Sequence, residues 1–362
     1  EPGKYRVDDE NVQIMGGIAG SGANFWTLRD IDVFCKAVME MMPHIDFFPD
    51  ILHCHDWQSA LCVIYLSRKY KYLEAYSKMK SVYTIHNIDY QGIYSFDILG
   101  DIFSLDSWDR YVVEYDGCIN LTKGAIVCCD RLTTVSPRYA EEIQTEYFSS
   151  GLHHILKMYR DKVCGIINGI DTDRYNPASD KTITKTFSAA DISGKAADKA
   201  DLQRIFGLPE KPDVPVVAMV SRLASHKGFD LVRRVADELL DTGNVQFVLL
   251  GTGESELEDF FSGLSERHRG KCGVMLAYDG RLAKQIYAGA DIFLMPSKSE
   301  PCGLSQMIAS RYGAVPVVRE VGGLCDTIKP YNPETGEGNG FTFVTYNAHD
   351  MLDAIRRSVK LY

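Results

Sequence analysis

The sequence predicts an α/β chain of two doubly wound halves facing one another across a cleft. Three observations predict it. From about residue 48 onward, strand-length apolar runs alternate with helix-length amphipathic stretches, each run closes on polar or glycine residues, and 362 residues exceed what one ordinary hydrophobic core holds.

The runs, in order, are "DILHCHD" at 50, "SVYTIHN" at 81, "RLTTVSP" at 131 and "VCGIING" at 163. After them come "VPVVAMVSR" at 214, "VQFVLLGTG" at 245, "GVMLAYDG" at 273, "DIFLMPSKSEP" at 291 and "AVPVVREVGG" at 314. Their β-branched and apolar content, with turn residues at each end, reads as buried parallel strands. Open parallel sheets bind ligands beyond the carboxyl ends of their strands, so those endings are where chemistry is expected. The seam falls in "SAADISGKAADKADLQRIFGLPEKPDVP", where small, charged, glycine and proline residues gather before the strand at Val214, and the boundary is placed near residue 209. The glycine-rich "NVQIMGGIAGSGANF" lacks a strand before it and a capped helix after it, so it is not read as a nucleotide loop.

Composition narrows the function classes. With 45% hydrophobic and 24% charged residues the chain reads as globular, and its net charge of -10 argues against nucleic acid or an anionic membrane as the main partner. Any phosphate must be met by a local basic pocket. Ten scattered cysteines without C-x-x-C spacing suit a reducing compartment and suggest neither a disulfide framework nor structural zinc. Without a signal-peptide pattern or a membrane-length apolar run, the expected location is cytoplasmic.

The turn "PSKSEPCGLSQ" at 296–306 joins a strand to a helix-compatible stretch. The backbone N–H groups of Cys302, Gly303, Leu304 and Ser305 are expected to open the helix and offer an anion site, while Glu300 stands outside it, suited to sugar hydroxyls or to capping. "VSRLASHKGFD" places Arg222 and Lys227 around another strand-to-helix loop, where two cations can neutralise a diphosphate leaving group; a solvated basic pair is the other reading. In "LHCHDWQSA", His53 and His55 point to one face and read as core or cleft histidines, since a metal would need further ligands that are not apparent. Asp56 faces the cleft or caps the helix opening at Trp57. His86 and Asn87 end the strand of "YTIHNIDYQG", where both can bind a sugar, and Asn168 of "IINGID" lies on the same edge; each also serves as a turn residue. "GTGESE" carries only part of a dinucleotide fingerprint, and neither a P-loop nor a G-x-S-x-G elbow occurs.

Taken together, "HCHDWQSAL", "YTIHNIDYQG", "TTVSPRYAEEI", "INGIDTDRYNP", "VSRLASHKGFDLV", "IYAGADIFLMPSKSEPCGLSQMIASRYGAVPVVREVGGLCDTI" and "GNGFTF" resemble the bacterial glycogen synthases and plant starch synthases, retaining glucosyltransferases. The resemblance implies a GT-B fold of two opposed Rossmann-like domains, here 1–208 on the acceptor side and 209–362 on the nucleotide-sugar side. It implies transfer of glucose from ADP-glucose to the non-reducing end of an α-1,4-glucan (glycogen, starch or maltooligosaccharide) with retention, no cofactor, no metal, and a plastid location in a plant or alga. By motif, Arg222 and Lys227 would bind the diphosphate and Glu300 the donor glucose, with the Cys302, Gly303, Leu304 and Ser305 amides adding contacts. His86 would lie beside the anomeric carbon, Asp56 and Asn168 would line the sugar site, and Tyr278 of "AYDG" would pack on the base. The family's K-x-G-G-L loop has no counterpart in "MGGIAG", and its helices beyond "AIRRSV" are not present, so the expectation is of domains incomplete at the start and truncated at the end. Two other readings stand beside this one: a catalytically impaired glucan-binding or scaffold homologue, and a UDP-glucose-dependent retaining glucosyltransferase.

Overall fold

The computed structural model describes residues 27–362, and the glycine-rich stretch at 11–25 lies outside them. By contacts the chain forms two compact units, dividing between Ile166 and Ile167.

In the first unit the parallel sheet contains β1 (Ile51–His55), β2 (Lys80–Ile85), β6 (Arg131–Thr134) and β7 (Val163–Gly165), in the order β1-β2-β6-β7. Between β2 and β6 the chain inserts a small antiparallel sheet of β3 (Ile93–Tyr94), β4 (Glu114–Tyr115) and β5 (Cys118–Asn120), ordered β3-β5-β4. The helix Leu28–His44 opens with a reciprocal capping box: Asp30 N–H donates to Thr27 Oγ1 at 3.2 Å and Thr27 N–H to Asp30 Oδ2 at 2.8 Å. The helix Asp56–Tyr65 buries nearly its whole circumference, from Trp57 through Ala60 to Tyr65, as expected of an element covered on all sides.

The second unit is built on one six-stranded parallel sheet: β8 (Val216–Val220), β9 (Gln246–Leu250), β10 (Cys272–Met275), β11 (Ile292–Met295), β12 (Val315–Arg319) and β13 (Phe341–Phe343). Its order is β10-β9-β8-β11-β12-β13. The chain starts at β8, runs outward through β9 to β10, then returns to the other side of β8 for the remaining three strands. This is a Rossmann-like order, and the strand sequence reverses direction between β8 and β11.

Strand periodicity sorts the side chains onto two cores. Val217, Met219, Phe247, Leu249, Ile292 and Leu294 pack on one face, whereas Val216, Ala218, Val248, Leu250 and Phe293 pack on the other. A sheet buried on both faces needs continuous apolar strands, which is why these runs read so clearly in the sequence. Burying each such Val, Leu, Ile or Phe contributes roughly 1.5–3 kcal/mol relative to leaving it in water.

The contact boundary precedes the sequence seam at 208/209. Ile183 and Phe187, before the seam stretch, and Leu202 and Leu208, within it, are all buried in the second unit's own core, so residues that read as a linker by composition contribute to that core. The helix Lys195–Ile205 lies so close to the helix Gly280–Gly289 that a Cβ on Gly289 would come within 2.8 Å of Leu202 Cβ. Lys195 Nζ ties the same region together, donating to Ala288 O at 2.7 Å and Tyr312 O at 3.0 Å.

Candidate functional site

The reversal between β8 and β11 opens a cavity of about 280 Å³ within the second unit. Its lining includes Val220, Ser221 and Arg222 from the end of β8, Met295, Pro296 and Ser297 from the end of β11, and Lys227, Glu300, Gly303, Leu304 and Ser305. A crevice at the point where strand order reverses is the usual ligand position in an open α/β sheet.

Local backbone geometry builds the walls. After β8, the chain makes a 3₁₀ turn at Ser225–Lys227 and passes through Gly228, whose φ is 78°. A Cβ on Gly228 would sit 2.1 Å from Pro296 O, so only glycine lets this loop approach the end of β11. Lys298 N–H then donates to His226 O at 2.9 Å, joining the two loops.

Glu300 is buried, and Lys227 Nζ donates to both of its oxygens, at 3.0 and 2.8 Å. Ser297 Oγ donates to Glu300 Oε2 at 2.9 Å. The sequence reading assigned Lys227 to phosphate and Glu300 to sugar; here the two hold each other. Arg222 is exposed, and its guanidinium has no partner among the described residues.

Behind the turn, the glycines of "EVGG" pack backbone against backbone. Gly323 N–H donates to Glu300 O at 3.2 Å and Pro301 O at 3.1 Å, and a Cβ on Gly322 would lie 2.0 Å from Glu300 O. Arg319 Nη1 donates to Lys298 O at 2.8 Å from the same side. These supports were not found by sequence reasoning, although the paired glycines after an apolar run were the available signal.

The helix starts later than the sequence reading placed it, spanning Ser305–Arg311 with Leu304 as N-cap. Gly303, at φ 70°, breaks helical geometry before that point, so Cys302, Gly303 and Leu304 lie in the turn that leads into the helix. Gly303, Leu304 and Ser305 line the cavity; Cys302 is buried and absent from the lining, its thiol pushed up in pKa by burial and met by the Asn168 backbone N–H. Asn168 thus sits beside the turn, within the second unit. Tyr278 does not join the cavity lining: it follows β10 at the edge of the sheet and is 72% exposed.

The first unit gathers the remaining candidates at the ends of β1 and β2. Asp56 is the first residue of its helix and has a φ of 56°, costing about 1 kcal/mol for an L-residue. Its carboxylate does not cap that helix: Oδ1 accepts from His86 N–H at 2.7 Å, and the Asn87 N–H also binds it. Burial raises its pKa against these two bonds. Asn87 Oδ1 accepts from Asp89 N–H at 3.0 Å, the turn role noted from sequence.

His53 and His55 share a face, their ring centroids 4.2 Å apart. His53 Nε2 bonds Thr84 Oγ1 at 2.7 Å, and His55 Nδ1 bonds His86 Nε2 at 3.0 Å. Burial, then the charges of His53 and His86, lower the His55 pKa. Among the described residues no group of three or more His, Cys, Asp or Glu is arranged to hold a metal ion, and no helix is long and apolar enough to cross a membrane.

Comparison with known proteins bears directly on this arrangement. The starch synthase catalytic domain family matches residues 6–158, and the glycosyl transferases group 1 family matches residues 201–361. The chain is 49% identical over 333 residues to a glycogen synthase of Geobacillus thermodenitrificans, covering 91% of this chain and 68% of that protein. It is 47% identical to a glycogen synthase of Bacillus cereus, covering 91% of this chain and 69% of the relative. The solved catalytic domain of starch synthase IV from Arabidopsis thaliana, bound to ADP and acarbose, matches with a TM-score of 0.84 and 36% identity over 92% of this chain and 70% of that one. With two Rossmann-like units and this degree of identity, the chain belongs to the glycogen and starch synthase family of GT-B glycosyltransferases and is a hexosyltransferase.

Proposed function

We propose that this enzyme transfers glucose from ADP-glucose to the non-reducing 4-hydroxyl of an α-1,4-glucan with retention at the anomeric carbon, and that the cavity at the β8/β11 reversal holds the donor diphosphate. The observation that carries this reading is the meeting of three phosphate-binding elements in one lining: the Arg222 guanidinium, the Lys227 ammonium, and the turn at Gly303 and Leu304. Starch synthase IV, whose solved form carries ADP and acarbose, supports both a nucleotide and a glucan-like ligand.

In this mechanism the bond between the anomeric carbon and the β-phosphate oxygen breaks while the acceptor 4-oxygen bonds to that carbon. The acceptor proton passes to the departing phosphate oxygen on the same face. A double displacement would need a free carboxylate nucleophile. Glu300 is poorly suited to that task, since its oxygens already accept from Lys227 and Ser297. Its role is to accept from the donor sugar's hydroxyls and to orient Lys227. Arg222 and Lys227 stabilise the charge that develops on the leaving diphosphate, an effect concentrated in the transition state. By the family resemblance His86 would lie beside the anomeric carbon, Asp56 and Asn168 would line the sugar site and Tyr278 would pack on the base, while Asn87 joins them as a strand-end amide able to bind a sugar.

The test is incorporation of labelled glucose into glycogen from ADP-glucose and from UDP-glucose in parallel. Preferential incorporation from ADP-glucose supports the reading. Faster transfer from UDP-glucose would reassign the donor, and glucan binding with no transfer from either would favour a scaffold role.

A further inference from the structure

Gln306 is fully buried, and one end of its amide meets three acceptors. Nε2 lies 3.1 Å from Cys302 O, 3.0 Å from Gly303 O and 3.1 Å from Thr327 Oγ1. An oxygen at that end would face two carbonyl oxygens, so the network fixes the amide's orientation. Oε1 at the other end has no partner among the described residues, and a Cβ on Gly303 would come within 2.6 Å of it.

Peptide planarity turns this contact into a statement about the cavity. In a trans peptide the C=O and the following N–H point in opposite directions, and no peptide here is cis. Drawing the carbonyls of Cys302 and Gly303 inward onto Gln306 therefore aims the N–H groups of Gly303 and Leu304 the other way. Both of those residues line the cavity, and neither N–H has a partner among the described residues. Thr327 secures the arrangement from behind, since its hydroxyl donates to Gly323 O at 2.6 Å while accepting from Gln306.

We propose that Gln306 is a positioning residue for the transfer reaction: it holds the two turn carbonyls inward so that the Gly303 and Leu304 amides stay aimed at the donor's phosphates. The inference rests on the reading of this cavity as the diphosphate site. It also accounts for glycine at 303, because a side chain there would press on the amide that orients the turn.

The experiment compares ADP and adenosine binding in the parent, Gln306→Met, Gln306→Glu and Arg222→Ala. Gln306→Met keeps the length and removes the donor. It is expected to weaken ADP at least tenfold and leave adenosine, which carries no phosphate, within twofold. In Gln306→Glu a protonated acid can donate where a carboxylate cannot, so its ADP affinity relative to the parent should improve as pH falls from 8 to 5. A simple packing role would not produce that pH-dependent rescue. ADP affinity within twofold of the parent in Gln306→Met, or an equal loss of adenosine, overturns the inference. Should the Met variant not fold, a flat variant-to-parent ratio for Gln306→Glu overturns it. If Arg222→Ala also leaves ADP binding unchanged, the diphosphate reading itself fails; if that variant weakens ADP while the Gln306 variants do not, only the positioning role falls.

Discussion

Lys227 Nζ and the Glu300 carboxylate form a two-pronged ion pair, with N–O distances of 3.0 and 2.8 Å, inside the cavity that the donor is proposed to occupy. The pair leaves Lys227 pre-positioned with one proton still to offer, while Arg222 faces the same cavity with no partner among the described residues. The two cations therefore differ in what their loss costs.

Lys227→Ala leaves Glu300 buried with Ser297 as its remaining side-chain donor. Breaking a fully buried pair costs roughly 3–5 kcal/mol. Lys227 is 22% exposed, so about 2 kcal/mol is expected in urea unfolding followed by circular dichroism. Arg222→Ala should leave stability within about 0.5 kcal/mol. Both variants should depress turnover more than glucan affinity; equal stability losses would contradict the contrast.

Glu300→Gln removes the charge that holds Lys227. Calorimetric titration should show ADP binding as tight as in the parent or tighter, since Lys227 is released to the phosphate. Turnover should fall by about two orders of magnitude, as when an interaction used mainly in the transition state is lost. A turnover equal to the parent's would contradict the sugar-binding role of Glu300, and a parallel loss of ADP affinity would show that orienting Lys227 is its larger contribution.

Gly228→Ala meets two obstacles, a φ of 78° and a Cβ position 2.1 Å from Pro296 O. The loop must move away from the end of β11, so a loss of about 2–4 kcal/mol is expected, with weakened ADP binding. Thermal unfolding and ADP titration on one preparation check both effects.

The pH dependence of the first unit should carry a histidine signature. His55 faces His53, His86 and Asp56, and its pKa lies below the usual 6.5, through burial first and then the neighbouring imidazoles. The unfolded chain therefore binds more protons at this position as pH falls. The stability contributed by the neutral ring is present above about 6.5 and is lost as pH drops through the lower folded value. Trp57 and Trp108 lie in this unit and no tryptophan follows Ile166, so tryptophan fluorescence does not report the second unit. Between pH 7 and 5.5 the urea midpoint should fall further in the parent than in His55→Asn, whose amide can replace the Nδ1 contact without titrating; parallel curves would contradict the assignment.

The sequence made the parallel strands legible because burial on both faces leaves long apolar runs, as in β8 and β9. It did not reveal β3, β4, β5 or β13, which are two or three residues long; β7, also three residues, was legible because the run "VCGIING" extends beyond it. Arg222, Lys227 and Glu300 were legible as a candidate site because strand ends in open sheets face ligands, and one cavity lining does bring them together. What sequence could not supply was pairing across the chain: Lys227 held by Glu300, Asp56 bound to the His86 backbone, the "EVGG" glycines behind the turn, and Gln306 beneath it. The seam stretch that begins at residue 188 misled by composition, since Leu202 and Leu208 within it anchor the second unit despite polar neighbours.

The most direct test of the central claim is a crystal structure of this protein soaked with ADP. The account predicts the diphosphate in the β8/β11 cavity, within hydrogen-bonding distance of the Arg222 guanidinium, the Lys227 ammonium and the N–H groups of Gly303 and Leu304. An ADP whose phosphates rest elsewhere, with those four groups unengaged, would contradict it.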